Sequence, residues 1–183
     1  MRNPFSSTLL VFLVAVAVAL MPQAIRADDH VAGINGTFAV SYVRPATGIV
    51  CATGAVAVEA QGIGSISGLG PMFLTVKKCM TPNPATKIGT YAGTFMLSTA
   101  QGDGLSGTYA GQQDFNQTDA NGFGPFNGTL TVTGGTGRFR HSPSGALSFT
   151  AVASPASVSE ATGKFNGMAY YLIQGNMATH DRE

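Results

Sequence analysis

Apolar residues recur at every second position through most of the chain, and that period decides what the chain can become. Phe38, Val40 and Tyr42 alternate with Ala39, Ser41 and Val43, and Tyr91, Phe95 and Leu97 oppose Ala92, Thr94 and Ser98. Leu130 and Val132 alternate with threonines, and Leu147 and Phe149 with Ser148 and Thr150. Successive side chains of a strand point to opposite faces, so this pattern marks half-buried strands and excludes helices of period 3.6. Turn-forming clusters stand between the runs: Pro45-Ala-Thr-Gly48, Thr81-Pro-Asn-Pro84, Gln101-Gly-Asp-Gly104, Asn121-Gly122 and Gly134-Gly135. Together they predict strands over 37–44, 48–60, 71–79, 89–99, 104–111, 127–134, 145–153 and 164–174. Regularly spaced strands joined by glycine-rich turns form a sandwich or a closed barrel, and closure removes the exposed edges.

The first 27 residues read as a signal-peptide helix that precedes the fold. Arg2 supplies the positive start, Leu9 to Leu20 the apolar run and Pro22 its break, and Ile25 and Ala27 flank a cut before Asp28. That run is short of the ~20 residues of a transmembrane helix, and no second apolar span follows it. Cutting after Ala27 takes 27 of 183 residues and leaves 156, the length of a single β-barrel domain over 28–183. Such a chain buries roughly 68–70% of its unfolded surface, which makes one core without metals. Without Arg2 and Arg26, 8 of the 10 basic side chains remain against 9 acidic ones. So few charges, with no basic cluster, argue against nucleic acid and anionic membranes as partners. Two cysteines, Cys51 and Cys79, remain outside the cell, where a pair is expected to be joined.

The stretch Thr131-Val-Thr-Gly-Gly-Thr-Gly-Arg-Phe-Arg140 invites a phosphate reading. It lacks the Lys-Ser/Thr of a Walker loop, the sixth position of a dinucleotide fingerprint falls on Arg140, and another strand follows instead of a helix. It reads instead as a strand-to-strand turn, with Gly134, Gly135 and Gly137 free to take positive φ, Phe139 returning to the core and Arg138 and Arg140 facing outwards. Gly128 to Phe139, followed by Gly145, resembles the I-x-GGTG-x-F…G signature of the dirigent and allene oxide cyclase barrel superfamily. With Gln101-Gly-Asp-Gly-Leu-Ser-Gly-Thr108 it is more closely similar to secreted, mostly bacterial barrel proteins carrying NGD-L-x-G-T and then GGTGRF. The resemblance implies a closed eight-stranded antiparallel barrel with a small central cavity. It also implies, from the plant members, either cyclisation of a lipid epoxide or guidance of phenoxy-radical coupling. The "A-x-G" that usually follows is replaced here by His141-Ser-Pro-Ser-Gly145. No cyclase-type glutamate aligns, so the resemblance carries the fold and no catalytic residue.

Known catalytic sets are missing. The histidines are His30, His141 and His180, no G-x-S-x-G elbow occurs, and no His or Cys pairs fall at metal-ligand spacing. Asp114-x-Asn116-x-Thr118 suggests calcium, but Asp119 stands where an EF-hand has glycine. Asn35, Asn116 and Asn127 fit N-x-[ST] acceptors. Glu59 lies inside the run Ala55-Val-Ala-Val-Glu-Ala60. Facing inwards it would be a buried carboxylate able to exchange protons with a ligand; facing outwards it is a surface charge. Nine aromatics (Phe38, Tyr42, Phe73, Tyr91, Phe95, Tyr109, Phe149, Tyr170 and Tyr171) either fill the interior or line a cavity, with Tyr42, Tyr91, Phe95 and Tyr109 the candidate ligand contacts. The leading expectation is a secreted or periplasmic, non-enzymatic barrel. It would hold a small hydrophobic or aromatic ligand or serve as a structural module, without cofactor or metal and without a membrane span after processing. The alternatives are an isomerase or cyclase using Glu59, a dirigent-like guide of radical coupling, and a barrel that forms homo-oligomers through its faces.

Overall fold

The computed structural model describes residues 29–121, 123–140, 145–154, 156–159 and 162–180. Residues 1–27, expected to be a signal peptide, and His141 lie outside the described residues. Nine strands follow one another: β1 (Asp29–Arg44), β2 (Val56–Ile66), β3 (Gly70–Asn83), β4 (Ile88–Ser98), β5 (Gly104–Asp114), β6 (Gly124–Thr136), β7 (Gly145–Ala153), β8 (Ser157–Ser159) and β9 (Lys164–His180). Each of β1 to β6 pairs antiparallel with the next, β7 pairs with β9, and β9 returns to β1 from Asp29↔His180 to Arg44↔Phe165. Eight strands thus close a barrel. The short β8 adds to the start of β9 through Ser157↔Asn166. Among the described residues no helix is long and apolar enough to cross a membrane.

The alternation places one face of each strand inside. Phe38, Val40, Leu74, Val76, Leu97, Leu130, Leu147 and Ile173 are buried, and their chain neighbours face water. The lumen is therefore filled by side chains along most of its length, as small barrels are.

The second strand differs from its expected span. Residues 48–55 are not strand, because Gly48 and Gly54 take φ of 75° and 84° and the Ala55 amide turns back onto the Ala52 carbonyl. Extended pairing begins at Val56 and runs past the expected end to Ile66. The loop is tied down by the Cys51–Cys79 disulfide, with a Cα separation of 5.7 Å across 28 residues. By chain entropy such a closure contributes about 3.5 kcal/mol.

The glycine-rich stretch has a structural role. Gly134 and Gly135 stay in β6, and only Gly137 takes a left-handed φ, 60°. The turn Gly137–Phe139 folds Phe139 into the core, while Arg138 stays exposed. Arg138 Nη2 donates to the Leu69 carbonyl at 3.0 Å, and its Nε lies 3.6 Å from the Asp103 carboxylate. The motif thus braces the β2–β3 and β4–β5 hairpins across one end of the barrel, which Phe139 stoppers. At Gly107 a β-bulge shifts the β5–β6 register, and an added Cβ would run into the Thr131 carbonyl. The Gly-Thr echo at 107–108 thus marks a bend of the kind that barrel corners need.

Candidate functional site

The opposite end of the barrel is built differently. On β3, Met72, Leu74, Val76, Lys78 and Met80 share the inward parity, so the same alternation that fills the core carries Lys78 into the lumen. Its neighbour Lys77 faces out and is opposite Glu59 and Thr94. Lys78 is 5% exposed, the most buried charged residue type among the described residues. Its Nζ donates to the Tyr109 hydroxyl at 3.1 Å and lies 4.0 Å from the ring centre of Tyr91, 4.6 Å from Tyr109 and 5.1 Å from Phe126. Those rings are held in turn by others. Tyr109 stacks on Phe149 at 4.9 Å, and Phe126 meets Tyr171 edge-on at 5.2 Å. Interlocked pairs of this kind fix ring positions.

Burial disfavours the ammonium form, and no carboxylate among the described residues compensates it, so the Lys78 amine is lowered to about 7. The ring faces attract a cation and act in the opposite sense. The surrounding phenols are moved the other way. Tyr91 is raised to about 12 by burial, and burial also raises Tyr109 and Tyr171. Every phenol here is an uncharged hydroxyl at neutral pH. Tyr91 donates at 2.6 Å to Gln113 Oε1, which satisfies the other buried polar side chain at this end.

These groups border a cavity of about 220 Å³, with Lys78, Tyr91, Gln113 and Tyr171 on its walls, Val58, Ala60 and Ala169 between them, and Tyr42 and Arg44 nearer the mouth. Tyr42 closes one side by donating to the Ser154 carbonyl at 3.0 Å, and Arg44 lies over the Phe165 ring at 5.1 Å. The site offers a slot of mixed apolar and polar lining, an amine that can be uncharged, and hydroxyl donors around it. A wider outer groove of about 1220 Å³ crosses exposed Ile63, Phe73, Val152, Tyr170 and Leu172, but no charged side chain lines it. The inward charged and polar side chains gather at the smaller cavity.

Of the sequence-predicted contacts, Tyr42 and Tyr91 border the cavity. Tyr109 stands behind Lys78, and Phe95 is packed into the core away from the cavity walls. Phe73 and Tyr170, included among possible lumen aromatics, are on the outer surface at 49% and 58% exposure. Glu59 also faces outwards: its partner Ala60 holds the inward position, and its carboxylate accepts from Gln61 Nε2 at 2.9 Å. A lumenal proton-exchange role for Glu59 therefore has no geometric basis. Sequence reasoning missed Lys78 and Gln113, and the only signal for Lys78 was its parity with Val76 and Met80.

No protein-family model matches the chain, and no curated protein matches it. Among solved structures, the chain is similar to that of the pterocarpan synthase dirigent protein GePTS1, at 13% identity and a TM-score of 0.39, over 95% of this chain and 99% of that one.

Proposed function

We propose that this protein is an extracytoplasmic binding barrel that holds a small apolar or aromatic molecule in its open end. The observation that carries this reading is the asymmetry of the lumen. One end is stoppered by Phe139, and the other keeps a cavity of about 220 Å³ lined by apolar side chains together with inward polar groups. Binding sites generally combine mostly apolar walls with a few polar groups that orient the ligand. The volume is below the ~300–1,000 Å³ usual for drug-sized ligands, which favours single-ring compounds. The Cys51–Cys79 disulfide supports a location outside the cytoplasm, where such bonds persist, and the N-terminal leader pattern agrees with it.

Calorimetry with single-ring aromatics tests the reading, using the parent protein and a variant with the cavity filled, Ala169→Leu. Ala169 borders the cavity and is itself buried. Binding by the parent and loss of binding by a variant with an unchanged β-rich circular-dichroism spectrum is the expected result. Equal binding by both proteins, or none by the parent, contradicts the reading.

A further inference from the structure

We propose that Lys78 is a carbonyl-capturing amine, which forms an imine with a small aromatic aldehyde or ketone that enters the open end of the barrel. The proposal rests on the binding reading above and adds the ligand's reactive group. Three observations carry it. Lys78 borders the cavity, and its Nζ lies among the rings of Tyr91, Tyr109 and Phe126. No carboxylate among the described residues faces it, so nothing holds it as a permanent cation in a salt bridge. Its hydrogen bond to Tyr109 uses one N–H, which leaves an uncharged amine's lone pair for the cavity. An aromatic-walled slot favours a flat ring, and a desolvated lysine in an apolar pocket is how Schiff-base amines are activated. Burial, which lowers the amine to about 7, supports the same reading.

The chemistry balances without a co-reactant. The nitrogen lone pair attacks the carbonyl carbon, a C–N bond forms, and the π pair moves to oxygen. A proton passes from nitrogen to that oxygen to give a carbinolamine; the Tyr109 hydroxyl, 3.1 Å from Nζ, is placed to relay it. The oxygen then takes a second proton and leaves as water while nitrogen supplies the pair for C=N. Loss of the remaining N–H proton gives the neutral imine. One water is released, and nothing is oxidised or reduced.

The chain contains four lysines, Lys77, Lys78, Lys87 and Lys164, of which Lys77 and Lys87 are exposed and Lys164 half-buried. This gives internal controls. Mature, disulfide-intact protein is incubated at pH 7 with 4-methylbenzaldehyde and sodium cyanoborohydride, which reduces an imine to a stable amine, and the adduct is mapped by peptide mass. An ordinary lysine near 10.4 is almost wholly protonated at that pH, so Lys78 should label at least about tenfold faster than each other lysine. The α-amino terminus, ordinarily about 7.7–8.0, is scored separately. The fast adduct should vanish in Lys78→Arg. In case that variant folds poorly, 4-methylbenzyl alcohol, which has the ring without the carbonyl, should slow Lys78 labelling in the parent protein. Its binding is measured by calorimetry. If the alcohol binds and Lys78 labels no faster than the exposed lysines, the imine proposal falls and the binding reading stands. If the alcohol does not bind and Lys78 is not labelled, both fall.

Discussion

Replacing Lys78 with methionine keeps a chain of similar reach among the rings and removes the amine. In the unfolded chain that amine titrates at the ordinary 10.5, and in the fold burial lowers it to about 7. Below the folded value both states carry the proton, and the native state bears the full cost of desolvating an ammonium. Between the two values the unfolded chain keeps a proton that the fold has shed. Stability of the parent therefore rises with pH, by about 1.4 kcal/mol per unit, and the cost is gone above the unfolded value. Integrated over the window, burial alone would cost about 5 kcal/mol. Attraction to the faces of Tyr91, Tyr109 and Phe126 returns roughly 2 kcal/mol and narrows the window from its lower side. Other groups facing the site do not interfere. Tyr42 on β1, Tyr91 on β4, Tyr109 on β5 and Tyr171 on β9 are all raised by burial, Arg44 on β1 borders the same cavity, and β2 and β6 present Val58, Ala60 and Phe126. Lys78→Met should thus be more stable than the parent at pH 6 by about 3 kcal/mol, with the gap closing towards pH 10. Urea unfolding of disulfide-intact protein, followed by circular dichroism at several pH values, measures the gap. A gap independent of pH, or a variant less stable throughout, would refute the desolvation argument.

Three further outcomes follow from the architecture. Cys51→Ser with Cys79→Ser should lose about 3.5 kcal/mol in chemical unfolding and make the 45–55 loop the first site cut in limited proteolysis. Gly107→Ala sets a methyl against the Thr131 carbonyl at the bulge; it should cost ~1–3 kcal/mol and lower the melting temperature, whereas an unchanged melt would deny the close approach. Glu59→Gln should leave ligand binding in calorimetry unchanged, because its carboxylate bonds to Gln61 on the outer surface.

How far the sequence could be read depended on whether one parity was clearly apolar. In β3, β4 and β7 it was, and the buried sets Leu74–Val76, Phe95–Leu97 and Leu147–Phe149 lie where alternation puts them. Around residues 48–60 both parities are small and apolar, so neither the start of β2 nor the face of Glu59 could be read. Pairing with β1, Val43↔Glu59 and Tyr42↔Ala60, settles the latter. Adjacent tyrosines 170 and 171 must face opposite ways, yet only register tells which enters the lumen. Lys78 escaped notice because Lys77-Lys78 looks like a solvated pair and belongs to no motif. Its partners Tyr91, Tyr109 and Phe126 lie 13 to 48 positions away along the chain, on three other strands. Alternation predicted its direction, and only closure of the sheet supplied the cage around it.

Labelling the lysine side chains with ¹³C at Cε and following their chemical shifts against pH tests the central claim most directly. One resonance of the four, lost in Lys78→Arg, should titrate well below the rest, displaced towards the value of about 7 that burial sets. Four lysines titrating together near the ordinary 10.4 would place Lys78 in water and contradict the desolvated, aromatic-walled site on which the account stands.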